Sequence, residues 1–102
     1  MDRALRLLAA AALLTAPTSA LADAAAIFQA RCVTCHGADG KAQTPVGRVM
    51  KAADLTSPAV QGLDAAAMAK VILENPKHHA FASTLSAEDA AALAILVKGL
   101  AG

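Results

Sequence analysis

The chain has 102 residues, with 9 basic and 8 acidic side chains and a net charge of +1. That is enough chain for one small domain, and so balanced a charge excludes a polyanion-binding surface for nucleic acid or a polybasic membrane patch. There is no Trp or Tyr, only 2 Phe, and only 2 Cys.

Arg3 and Arg6 precede an apolar run from Leu7 to Leu14, and Ala20-Leu21-Ala22 closes it as a small-x-small triplet. This pattern predicts a secretory signal peptide, residues 1–22, cleaved after Ala22. The run is shorter than the ~20 residues of a membrane span. The mature chain, residues 23–102, is expected to be a single domain in an exported, periplasmic compartment, with no integral membrane segment. Its apolar content is largely alanine, which buries little area, and domains this small often lean on a staple, metal or cofactor.

Ala24 to Cys35 reads as helix, with Phe28, Cys32 and Cys35 on one face at i, i+4 and i+7. Gly37 and Gly40 end it. Lys41 to Pro58 reads as loop, punctuated by Pro45, Gly47 and Pro58, with a short helical turn at Val49 and Met50. Asp64 is a good N-cap for a helix whose apolar stripe is Met68, Val71 and Ile72, and Pro76 stops it. "PKHHAFAST" reads as an irregular loop. Ser86 and Asp89 form a capping-box start for a last helix with Leu93, Leu96, Val97 and Leu100 on one face. No alternating strand pattern and no internal repeat is present. The expected fold is all-α, with three main helices and two long loops, and loops that long in a small domain usually wrap something.

"CVTCHG", Cys32 to Gly37, carries the chemistry. Cys-x-x-Cys-His is the attachment signature for c-type haem. Two thiols three residues apart near a helix end each form a thioether with one haem vinyl group, and His36 is then held beneath the iron as proximal ligand. Other readings compete. A thioredoxin-like dithiol expects a βαβ context, a structural disulfide leaves His36 unexplained, and zinc needs four ligands where the second half-motif is absent.

Through "FQARCVTCHGADGKAQTPVG" (Phe28 to Gly47), "DLTSPAVQ" (Asp54 to Gln61) and "AFASTLSAEDAAALAILVKGL" (Ala80 to Leu100), the chain resembles the small bacterial class I c-type cytochromes over nearly its full mature length. The resemblance implies a cytochrome c fold around one covalently attached haem c, with the first and last helices crossing and Phe28 packed at the crossing. It implies that Cys32 and Cys35 anchor the haem and that the Pro45 carbonyl accepts a hydrogen bond from His36. Two positions depart from the family. Ala24 stands where a glycine is common and Leu96 where an aromatic is common, so the crossing is expected to be differently packed.

The larger departure is in the distal-ligand loop, where the family supplies methionine. By register, His78 takes the methionine position and His79 the next. Extended backbone turns neighbouring side chains to opposite faces, so one of the two is expected to face the iron, with His78 preferred on register. Asn75 and an open sixth site are the other readings. Met68 is read as core and Met50 as gap-filler near the haem edge. Imidazole in place of thioether predicts a lower potential than a His/Met relative. Arg48 is the best candidate to pair with a haem propionate, ahead of Lys41 and Lys51.

The function expected is single-electron transfer between periplasmic redox proteins through transient contacts, not enzymatic catalysis. The alternatives are a haem protein that binds or senses a small diatomic ligand, a minor peroxidase activity, or a haem subunit of a larger oxidoreductase complex.

Overall fold

The computed structural model describes residues 20–101, and these are helical with no strand. The expected signal sequence falls mostly outside them. The chain is helical from residue 20 to His36 in three parts. Residues 20–27 form α1, Phe28–Cys32 a π-helical segment, and Val33–His36 the terminal turn α2. The π segment is a local widening of the helix, a feature often found at functional sites. Gly37 ends α2 with φ +79°, a conformation that side-chain-bearing residues rarely adopt.

Two short helices occupy the stretch expected to be loop, α3 at Pro45–Met50 and α4 at Pro58–Gln61. Each starts on a hydroxyl N-cap followed by proline at the first helical position, Thr44-Pro45 and Ser57-Pro58. Proline there costs no hydrogen bond, since that amide has no helical partner. What reads as punctuation is a start signal.

The two later helices form as their caps predict. In α5, Ala65–Glu74, the Asp64 carboxylate accepts from the Ala67 amide at 2.7 Å. In α7, Ala87–Gly99, Ser86 and Asp89 make a complete capping box, with both bonds at 3.0 Å. Between them the expected irregular loop is helical instead. Asn75 caps a 3-10 turn, Pro76–His78, which runs into α6, His79–Ala82.

Ala24, Phe28, Met68, Leu93, Ala94 and Val97 form one buried core, with Leu96 packed at its edge. Ala24 is 0% and Leu93 2% exposed. The alanine at the position where the family commonly has glycine is therefore fully enclosed in this core. Gln61 ties the middle of the chain to α7, its side-chain amide donating to the carbonyls of Leu55 (2.7 Å) and Val97 (2.9 Å). No helix of the described residues is long and apolar enough to cross a membrane.

Candidate haem-binding site

A cavity of about 240 Å³ opens between the first helix, α5 and the 75–82 segment. Its walls include Phe28, Met68, Leu93 and Val97, which also belong to the core, and Leu55, Ile72 and Phe81. Cys32, Cys35 and His36 line one side and His78 another.

Both cysteines are free and half-buried. Burial, and then the neighbouring Cys35, push the Cys32 thiol up to about 11. A redox-active dithiol needs the opposite, a thiol pushed down toward thiolate. The competing zinc reading fails on geometry too: among the described residues, no three His, Cys, Asp or Glu side chains converge on a metal position.

His36 Nδ1 lies 2.8 Å from the carbonyl oxygen of Ala53. A carbonyl only accepts, so Nδ1 carries the proton and Nε2 keeps its lone pair. Burial lowers the His36 pKa, the Ala53 bond opposes that, and His78 lowers it a little further; the net effect favours the neutral, ligating form. The expected acceptor, Pro45, is corrected here. Pro45 is the first residue of α3, so its carbonyl runs along that helix, and it is not among the cavity-lining residues. The carbonyl that reaches His36 comes eight residues later, after the chain has turned back.

The contact between α2 and α3 is unusually close. A Cβ on Gly47 would stand 2.0 Å from the Cys35 carbonyl oxygen, so only glycine fits. Beside it the Thr44 hydroxyl lies 2.7 Å from the Thr34 carbonyl and 3.1 Å from that of Cys35, and accepts from the Gly47 amide at 2.9 Å. These carbonyls belong to the last turn of the helix, which has no helical partner for them. Thr44 and Gly47 thus hold the Cys-x-x-Cys-His turn from behind. Sequence reading misses both as site residues; the Thr-Pro start signal is the clue available.

Across the cavity, His78 Nδ1 lies 3.0 Å from the Ile72 carbonyl and 3.2 Å from that of Val71. By the same reasoning its Nε2 is the free nitrogen. The His36 and His78 ring centroids are 6.4 Å apart, and Phe81 packs beside His78 at 5.3 Å. His79 is exposed and does not line the cavity. The opposite-faces argument is corrected in its cause: the backbone at 78 and 79 is helical, not extended, and the turn of the helix is what separates the two rings.

Asn75, Met50 and Met68 also line the cavity. Arg48 does not, and neither does Lys41; the basic side chains at its wall are Arg31, Lys51 and Lys77. Because α3 is a helix, Arg48 lies on its exposed surface while its C-terminal end brings Met50 and Lys51 to the cavity. Among the described residues, no acidic side chain lines the cavity.

An all-helical domain with Cys-x-x-Cys-His at a helix end, opening on an apolar cavity, is a small monohaem c-type cytochrome. Residues 19–97 match the family described as cytochrome c oxidase, cbb3-type, subunit III, and the chain belongs to that family of c-type cytochrome domains. Neither a curated protein nor a solved structure matches it.

Such a domain implies covalently bound haem c, and the residues present fit it. Two unpaired thiols and a histidine with a free Nε2 share one wall. Much of the remaining lining is apolar, and Arg31 and Lys51, with no carboxylate among the described lining residues, suit the acidic groups of a haem.

Proposed function

We propose that this chain is an exported carrier of single electrons, with haem c anchored by Cys32 and Cys35 and held between His36 and His78. The observation that carries the reading is the separation of the two imidazoles. A metal–imidazole bond is about 2.0–2.1 Å, and with each nitrogen about 1 Å from its ring centre, two imidazoles that shared one metal would stand up to roughly 6 Å apart between centroids. The rings stand at 6.4 Å, each with Nδ1 engaged by a backbone carbonyl. Carbonyl partners of this kind fix ring orientation and strengthen the ligand nitrogen.

Bound haem supplies an iron that cycles between Fe(III) and Fe(II). The chain does the rest. Cys32 and Cys35 would fix the haem's position, the apolar walls would exclude water, and the Ala53, Val71 and Ile72 carbonyls engage Nδ1 of the two imidazoles. His36 and His78 would both hold the iron, and an iron held by two protein ligands would suit electron transfer over ligand capture. Localisation to the periplasm rests on the sequence pattern of residues 1–22.

The test is the spin state of purified ferric holoprotein and of two variants. The wild type and His79→Ala are expected to be low-spin by EPR, and His78→Ala high-spin. A high-spin wild type removes His78 from the iron and favours a binder of small diatomic ligands; a low-spin His78→Ala assigns that position to another side chain.

The family's description favours a second reading of the same domain, as the haem subunit of a larger oxidoreductase complex. Co-purification of the tagged chain with other haem subunits from solubilised native membranes supports that reading, and recovery of the chain alone supports the free carrier.

A further inference from the structure

The segment that carries His78 is fastened unequally on its two sides. On the α5 side it is well tied. The Asn75 amide donates to the Val71 carbonyl at 3.0 Å, and His78 Nδ1 reaches the carbonyls of Val71 and Ile72. The other hydrogen bonds of residues 75–85 stay within that segment. Only Lys77 crosses the cavity mouth among the described residues. Its ammonium group donates to the Met50 carbonyl at 2.8 Å and approaches that of Lys51 at 3.4 Å.

The acceptors are well chosen. Lys51 has left-handed backbone, φ +54°, and ends α3. The carbonyls of Met50 and Lys51 therefore lie past the helical ladder and need outside donors. The stretch they belong to leads in two residues to Ala53, whose carbonyl holds His36. One short run of backbone thus contacts both histidines, one directly and the other through Lys77.

We infer that Lys77 is a positioning residue, a clasp that holds the His78 segment shut across the cavity mouth and so keeps the sixth iron site closed to outside ligands. The inference rests on His78 as the distal ligand. For an external ligand to reach the iron, the His78 segment swings away on its α5 side, and the bonds that break at the far side are those of Lys77. A single charge-assisted bond at an exposed position changes such an opening equilibrium by about 3- to 10-fold.

The probe is cyanide, which binds ferric haem only when an axial site opens. With the holoprotein, Lys77→Gln is expected to stay low-spin, keep the wild-type melting temperature within a few degrees, and take up cyanide about 3- to 10-fold faster. Lys77→Arg keeps a cation of similar reach and is expected to restore a slow rate. A change confined to general stability would move the melting temperature and leave the Arg variant no better than Gln. His78→Ala separates the two ways of failing. If it stays low-spin, the axial assignment fails and the clasp with it. If it turns high-spin while Lys77→Gln binds cyanide at the wild-type rate, the clasp alone is overturned.

Discussion

His36 and His78 face each other across the cavity at 6.4 Å between ring centroids, with their planes 63° apart. Among the described residues, neither ring hydrogen-bonds to another side chain. Each gives its Nδ1 proton to main-chain carbonyls, His36 to Ala53 and His78 to Val71 and Ile72. The pair is therefore oriented by two separate pieces of backbone, residue 53 and residues 71–72, and each ring keeps the same nitrogen, Nε2, free of these bonds.

The identity of the second axial ligand sets the potential. Methionine sulfur favours reduced iron, and imidazole favours the oxidised form. The substitution His78→Met is expected to raise the midpoint on the order of 100 mV. Potentiometric titration of the two holoproteins measures this; an equal or lower midpoint in the variant refutes it, provided a sulfur-to-iron charge-transfer band shows that the introduced thioether is bound.

The glycines give a paired test. Gly47→Ala drives a methyl group into the Cys35 carbonyl, 2.0 Å away. The α2–α3 contact then has to separate, at a cost of roughly 3 kcal/mol, and less haem-loaded protein is expected. Gly99, at the end of α7, has nothing within 4 Å of an added Cβ. Gly99→Ala is expected to be neutral or to stabilise by about 0.5–1 kcal/mol. Thermal unfolding and the haem-to-protein absorbance ratio of both variants check the contrast.

Gln61 bridges Leu55 and Val97 with one amide group. The substitution Gln61→Leu keeps much of the volume and loses both bonds, leaving the partly buried Leu55 carbonyl without this donor. The expected loss is about 1–3 kcal/mol in denaturant unfolding. Faster amide hydrogen exchange is expected in residues 55–63 before it appears in α5.

Asp54 supplies a pH dependence. The Thr56 hydroxyl at 2.7 Å, then the Thr56 amide at 2.8 Å, lower its pKa below the usual carboxylate value. A carboxyl with a lower pKa folded than unfolded stabilises the fold above its unfolded pKa, about 3.9. That contribution is lost as pH falls through the folded value. The wild type is expected to melt above Asp54→Asn at pH 6–7, with the gap closing as the solution is taken below about pH 4. A constant gap over that range counts against it.

Much of the site is readable from its letters. Cys32, Cys35 and His36 announce themselves by spacing, and α5 and α7 by Asp64, Ser86 and Asp89 at their starts. Thr44-Pro45 and Ser57-Pro58 are equally informative, but proline after a hydroxyl residue marks a turn and a helix start alike, and only the return of α3 against Cys35 decides between them. His78 and His79 are indistinguishable by type. What separates them is the phase of a 3-10 turn set by Asn75 and Pro76, which no periodicity of apolar residues records. Arg48 has the right chemistry for a propionate, and the helix it sits on carries it away from the cavity.

Ala53 leaves no trace in the motif because its contribution is a main-chain oxygen. Almost any residue at position 53 offers the same atom, so point substitution there barely touches the aim of His36. Insertion or deletion between Gly37 and Ala53 does, since it shifts which oxygen arrives. The orientation of the proximal imidazole is thus stored as a contour length, and mutation by lengthening or shortening, rather than by replacement, is what erases it.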